Sequence, residues 1–328
     1  MKRSCLLPAL GLVFVVSPSR AGFQDTPVSV KAEAMGGAFV AMSGDAGAAW
    51  INPAGLASLR YSEFAMMYGK PLAGLEGIDL NQGYLAFGTR LSKRWAAAMN
   101  TSIYQAAGLF SEYQAGFSGS FRINPKLAVG AGVSYLYHKY DIAGDPAYSS
   151  LPVFADGSSR GAAGINLGVI AFLNREFQIG ASVRNLNRPD VGLQEYDPVA
   201  REIRIGGMYR MLYARVQAEL EESDDGLGTR YSRTDTWKLG VEIPVNSMSF
   251  RAGVNSNAFT AGLGVTSGDF VVDYAFVVSR AVEATNYGSQ FLALSYRIGA
   301  GDAAARRSRT SGKRTDRQDR EKSSAWVW

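Results

Sequence analysis

His138 is the only histidine in the chain, so a metal centre or a Ser-His-Asp triad would have to be built around it. No cluster of ligands accompanies it in sequence, and its place near the end of a strand pattern reads as an interfacial or rim histidine. Glu219, Glu221, Glu222, Asp224 and Asp225 could offer carboxylates to a divalent cation, but the ordered spacing of an EF-hand is missing. The run falls at an expected outer loop and reads as solvated. Gly130-Ala131-Gly132 and Gly262-Leu263-Gly264 resemble dinucleotide loops in composition only, since neither lies between a strand and a helix. They read as small residues on the interior face of strands. No nucleophile has a base nearby. The residues therefore imply no catalytic, cofactor-binding or metal-binding centre, and a non-enzymatic protein.

The elements that would hold these residues are strands. With 37 glycines, 16 tyrosines and 16 phenylalanines against 19% charged residues, the composition favours strand and turn formers over helix formers. Residues 1–21 open with Lys2 and Arg3, continue through the apolar Leu6 to Val16 and end in Ser19-Arg20-Ala21, the pattern of a cleaved secretory signal peptide. That apolar stretch is too short to span a bilayer as a helix, which takes roughly 20 residues. Cys5, the only cysteine, lies just before that stretch and within residues 1–21, so the mature chain would carry no thiol. The net charge of +5 divides into +3 on residues 1–21, +4 on residues 300–328 and −2 on the rest, which implies no basic face for nucleic acid.

After residue 60, segments of about ten residues carry apolar side chains at every second position. Leu127, Val129, Ala131, Val133, Tyr135 and Tyr137 alternate with Ala128, Gly130, Gly132, Ser134, Leu136 and His138. Alternate residues of a strand point to opposite faces, and roughly ten tilted residues match the apolar thickness of an outer membrane. Fourteen candidate strands begin near residues 61, 79, 94, 112, 126, 161, 176, 200, 212, 235, 247, 257, 269 and 287. The even count suits a closed transmembrane antiparallel β-barrel of the bacterial outer membrane, with short periplasmic turns and longer outer loops. Two reversals fit less well. Asn255-Ser256-Asn257 is brief for an outer loop, and the turn near Met211 lacks Gly, Asn or Pro. Tyr61, Tyr68, Trp95, Tyr104, Tyr209 and Trp237 fall near strand ends, as aromatic girdles do.

Residues 22–60 do not alternate. They are rich in small residues at Met35-Gly36-Gly37-Ala38-Phe39 and Gly44-Asp45-Ala46-Gly47-Ala48-Ala49, and Asn52-Pro53-Ala54-Gly55 is a turn signal. Composition alone leaves open a surface arm, a periplasmic extension or an insertion into the lumen. The string Ala34 to Ala41, Asp45-Ala46 and Asn52-Pro53-Ala54-Gly55-Leu56 resembles the N-terminal signature of the PorV/PorQ family and, more distantly, of FadL-like (OMPP1/FadL/TodX) transporters. That resemblance implies a barrel of about 14 strands spanning 61–299, with 22–60 folded inside as a plug. It makes Gly36, Gly37, Asp45, Asn52, Pro53, Ala54 and Gly55 the plug signature.

By resemblance, a PorV/PorQ-type barrel would assist type IX secretion or surface attachment of client proteins. The alternative is a FadL-like channel for uptake or export of hydrophobic small molecules. Outer-membrane lipid is the expected surrounding in either case. The polar, basic segment 300–328 reads as a disordered periplasmic tail that could touch peptidoglycan or anionic lipid.

Overall fold

In the computed structural model, the described residues are 23, 27–42, 44–74, 79–142, 151–229, 232–280 and 287–300. The expected signal peptide, with Cys5, and the tail from residue 301 onward lie outside them. Fourteen strands follow in chain order: β1 (Glu63–Lys70), β2 (Leu80–Arg90), β3 (Trp95–Ala106), β4 (Phe110–Asn124), β5 (Leu127–Tyr140), β6 (Ser159–Phe172) and β7 (Phe177–Arg184). Then come β8 (Arg201–Arg210), β9 (Arg215–Asp224), β10 (Arg233–Val245), β11 (Met248–Asn255), β12 (Ala258–Ser267), β13 (Phe270–Ser279) and β14 (Ser289–Arg297). Each begins within three residues of its expected start. Every strand pairs antiparallel with its chain neighbours, and β1 closes the sheet by pairing with β14. Met66 faces Leu85 on one side and Leu294 on the other, so no edge is left open.

Period-two patterning places apolar side chains outside and polar ones inside. Met66, Leu85, Phe117, Val133, Leu220, Phe259 and Leu292 are exposed on the outer surface, whereas Gln82, Ser118, Gln217, Lys238, Arg251 and Asp273 are buried. Such an inversion of a water-soluble protein is stable when hydrocarbon surrounds the sheet, because closure satisfies every ladder amide within the sheet. The connections sort by length. Leu91–Arg94, Pro125–Lys126, Leu173–Glu176, Met211–Ala214, Asn246–Ser247 and Gly268–Asp269 close one end, which is periplasmic by that criterion. The opposite end carries the longer segments, 141–158 and 185–200 among them. Both doubtful reversals are genuine. Met211 N–H donates to the Ala214 carbonyl at 2.7 Å, and the Asn255 side chain accepts from Asn257 and Ala258 at 2.8 and 2.7 Å.

The residues before β1 fill the lumen as two single-turn helices, α1 (Val30–Glu33) and α2 (Ala48–Ile51), followed by a 3-10 turn, Pro53–Ser58. Local chemistry dictates these turns. Ser29 caps α1 by accepting from Ala32 N–H, and Asp45 accepts from Ala48 N–H at 2.9 Å. Asn52 accepts from Ala54 N–H at 3.1 Å, while Pro53 presets the first residue of the 3-10 turn. None of these turns would persist alone in water. The barrel wall supplies their stability: α1 lies against β12–β14, and the 3-10 turn against β3–β6.

Candidate functional site

Polar, apolar and small side chains converge in the lumen, whose wall is not uniform. From β7 to β10 it carries a ladder of buried charges. Arg184 and Arg204 each reach Glu202 at 3.0 Å, Arg204 reaches Glu221 at 2.8 Å, and Lys238 joins Glu221 at 2.6 Å and Glu219 at 3.6 Å. Nearer the periplasmic end, Arg251 bonds Asp273 at 2.7 Å and Arg297 bonds Glu63 at 2.9 Å. Glu219 and Glu221 were expected in a solvated outer loop. They lie instead in β9 at alternate positions, both facing inward, because β9 extends through Asp224 before the chain turns.

This charged side holds the plug by its backbone. The Glu219 carboxylate accepts from Phe39 and Val40 N–H at 2.8 and 2.7 Å. Thr260 accepts from Gly36 N–H at 2.9 Å, Asn255 donates to the Gly36 carbonyl at 3.1 Å, and Gln178 donates to the Ala41 carbonyl at 2.6 Å. On β4, Arg122 donates to the Ala57 carbonyl at 2.9 Å. Wall glycines allow the approach. A side chain at Gly130 would enter the backbone of Pro53 and Ala54, and one at Gly253 the backbone of Met35 and Gly36. Gly130, Gly180, Gly240 and Gly253 thus mark where the plug touches the wall, whereas Gly132 and Gly264 meet neighbouring wall side chains.

The signature residues are joints of the plug. Gly36 and Gly37 adopt φ of +68° and +83°, turning the chain beside Val254 and Lys238. Asp45 pairs with Lys31 at 3.2 Å. Asn52 donates to Val40 O at 2.8 Å and, across the gap to the wall, to Val169 O at 3.2 Å. Pro53 and Ala54 rest on Gly130 and Gly168, and Gly55 O accepts from Gly44 N–H at 3.2 Å. The Asp45 and Asn52 side chains close hydrogen bonds within the protein, which is structural chemistry.

On the remaining wall, away from Glu63, Asp273 and Arg297, the plug meets mainly apolar side chains. Met67, Tyr84, Ala86, Ala275 and Phe291, from β1, β2 and β13–β14, pack against Val30, Met35, Phe39, Met42, Trp50 and Ile51 of the plug. Among the described residues the plug backbone takes one side-chain hydrogen bond from these four strands, from Gln82 to the Pro27 carbonyl. A cavity between plug and this wall measures about 30 Å³, and Lys31, Asp45, Glu63 and Asp273 help to line it. That is room for water and not for an organic ligand.

At the outer mouth, segment 185–200 folds inward. Val191 and Val199 join Phe23 and Leu136 in a small apolar cluster, and Arg188 pairs with Asp224. His138 is not a rim residue. It is 4% exposed, faces the lumen and stacks on Phe23 at 6.0 Å, because its strand position has the inward parity of Leu136. Asp197 in this segment has its carboxyl pushed above the ordinary range, by burial first and then by the neighbouring Asp190 and Asp225. Among the described residues no group of three or more His, Cys, Asp or Glu side chains could hold a metal ion.

Residues 19–263 match a protein family described as F plasmid transfer operon, TraF, protein. The chain belongs to this family. None of the curated proteins matches this TraF-family sequence. Among solved structures, the Ralstonia pickettii toluene transporter TbuX aligns with a TM-score of 0.61 at 14% identity, covering 84% of this chain and 99% of its own. The CymD monoaromatic hydrocarbon channel aligns at 0.63 and 16%, covering 84% and 98%. A Pseudomonas aeruginosa FadL homologue aligns at 0.54 and 12%, covering 82% and 98%. At these identities the likeness is one of fold: the TraF-family chain shares the closed plug-and-barrel architecture of these outer-membrane transport proteins.

The PorV/PorQ assignment, and with it type IX secretion and client proteins, is overturned by these neighbours, by their titles a toluene transporter, a monoaromatic hydrocarbon channel and a FadL homologue. The physical reason lies in the signature. Gly36, Asn52 and Pro53 encode how a plug turns and meets a wall, a requirement that plug-and-barrel proteins of different function share. Nothing in the neighbours supports contact with peptidoglycan either. Thr260 and Gln178 escaped sequence reading, and Glu219 and Asn255 were read as a solvated carboxylate and a turn residue with no contact to the plug. Their one signal was a polar residue at inward parity, which marks the lumen but not what it holds.

Proposed function

We propose that the protein conducts hydrophobic small molecules across the outer membrane, along a path between the plug and the apolar wall of β1, β2, β13 and β14. The observation that carries this reading is the unequal attachment of the plug. Hydrogen bonds tie it to β4, β6, β7, β9, β11 and β12, whereas the β1, β2, β13, β14 side meets it mainly through Met67, Tyr84, Ala86 and Phe291. Parting two apolar surfaces breaks few directional bonds, and an apolar solute entering between them restores the lost contacts. The three structural neighbours, by their titles a toluene transporter, a monoaromatic hydrocarbon channel and a FadL homologue, have the same plugged architecture.

A disulfide lock tests the path. A Cβ built at Gly88 lies 3.2 Å from Ala46 Cβ, close to the separation a disulfide spans. Cells with an intact outer membrane should take up labelled toluene faster when expressing the protein. The Ala46→Cys/Gly88→Cys variant should lose that gain when oxidised and regain it on reduction. Uptake that is equal with and without the protein, or unchanged by the lock, refutes the reading.

A further inference from the structure

The periplasmic rim concentrates its cations along one arc, with Arg60, before β1, standing apart from it. The turns joining β2–β3, β4–β5, β6–β7 and β8–β9 present Arg90, Lys93, Arg94, Lys126, Arg175 and Arg210, all exposed. The turns joining β10–β11 and β12–β13, Asn246-Ser247 and Gly268-Asp269, present no cation. Of the other rim cations, Arg215 is neutralised by Glu242 and Arg297 by Glu63, while Arg122 is committed to the plug carbonyl of Ala57. Lys93, Arg94, Lys126, Arg175 and Arg210 have no ion-pair partner among the described residues, and Glu176 is the exposed acid of the arc.

The arc is held rigidly. Arg122 N–H donates to Arg94 O, Phe172 N–H to Lys126 O and Arg210 N–H to Glu176 O, at 2.8, 2.8 and 2.7 Å, so successive turns are stitched side by side. Hairpins repeat every two strands, which spaces the cation groups by roughly 10 Å along the rim. Exposed apolar residues interleave with them: Leu91, Trp95, Leu173 and Met211, then Leu212 at 85% and Tyr213 at 75% exposure. Charge and apolar surface alternate in this way where acyl chains end and head groups begin.

We propose that this arc binds anionic phospholipid of the periplasmic leaflet, its cations taking the phosphates while Leu91, Trp95, Leu212 and Tyr213 enter the acyl edge. An acidic soluble protein is the poorer fit. The cations stand in the plane where the outward apolar band of β2–β9 stops, and the intervening turn residues would be left in water by a partner docking from below. The selectivity for anionic lipid is independent of what the lumen conducts.

The test uses the purified barrel in nanodiscs of phosphatidylcholine with phosphatidylglycerol in equal parts, with native mass spectrometry reading the lipids retained on release. Phosphatidylglycerol should be enriched over phosphatidylcholine. At about fivefold per cation near an anionic surface, from roughly 1 kcal/mol each, Lys93→Glu/Arg94→Glu/Lys126→Glu/Arg175→Glu should abolish the enrichment, and the matching glutamine variant should cut it at least tenfold. Raising salt from about 0.1 M to 1 M, which shortens screening from about 10 to 3 Å, should weaken it. Lys139→Glu/Arg160→Glu at the outer end should leave it intact. Heat-modifiable gel mobility verifies that each variant is folded. Equal retention of the two lipids by the native protein, or undiminished enrichment in the folded rim variants, overturns the proposal.

Discussion

Replacing Glu219 by alanine should loosen the plug without unfolding the barrel. The carboxylate accepts from Phe39 and Val40 N–H at 2.8 and 2.7 Å, and both residues are about 1% exposed. A buried donor left without a partner costs about 1–3 kcal/mol, so two cost roughly 2–6 kcal/mol while the plug stays seated. A displaced plug gives both amides to water and escapes that penalty. At about 1.4 kcal/mol per tenfold, the displaced population should rise roughly 30-fold even at the low end. Lys238 keeps Glu221 at 2.6 Å, so the ladder loses only its longer contact. Amide hydrogen exchange in nanodiscs reads the change directly. Peptides covering 36–42 should exchange faster in Glu219→Ala, the strand amides should not change, and Glu219→Gln, which retains an acceptor, should fall between. Identical exchange of 36–42 in Glu219→Ala and the native protein would show that the anchor contributes nothing to seating.

Gly253→Leu should overpack the wall against Met35 and Gly36 by about 1–3 kcal/mol and raise single-channel conductance in planar bilayers while the barrel remains heat-modifiable. Arg251→Leu strands the buried Asp273 and should cost about 3–5 kcal/mol in urea unfolding, with Arg251→Leu/Asp273→Leu recovering much of the loss. Leu220→Arg, on the lipid face in the middle of β9, should cost about 2–4 kcal/mol on refolding into bilayers. The raised carboxyl of Asp197 means that the folded mouth segment favours the protonated form. Stability of that segment therefore grows as pH falls through the Asp197 range and is lost as pH rises above it. The protection factors of 185–200, taken relative to intrinsic exchange at each pH, should rise on acidification in the native protein and lose that dependence in Asp197→Asn.

The barrel was legible because strand alternation is a local property. Met66, Val133 and Phe259 advertise an apolar face whatever they pair with, and closure follows from the even count. Even the weak turn signal at Met211 was read at the right place from the strands on either side. The plug was legible only as an exception to that rhythm. Whether Gly36 lies beside Val254, or Asn52 beside Val169, depends on partners more than a hundred residues away, which no local pattern encodes. His138 was misplaced for a related reason. Strand-end position was weighed above parity, and parity decided that it faces Phe23. The acidic run was misread because length assigned Glu219 and Glu221 to a loop, although their spacing of two placed both on one face of a longer β9.

The order of the chain has a consequence for assembly. The segment that ends inside precedes every strand, yet its contacts run late: Gly36 bonds Thr260 across 224 residues, and Phe39 bonds Glu219 across 180. Such distant contacts are slow to form because a long loop must close before they reward it. The β1–β14 seam is the last junction the chain can make, and it shuts around a segment already present. The plug can therefore serve as a mandrel around which the sheet curls. Barrels assembled from a chain lacking 27–60 should close slowly or with the wrong circumference, even though every strand is intact.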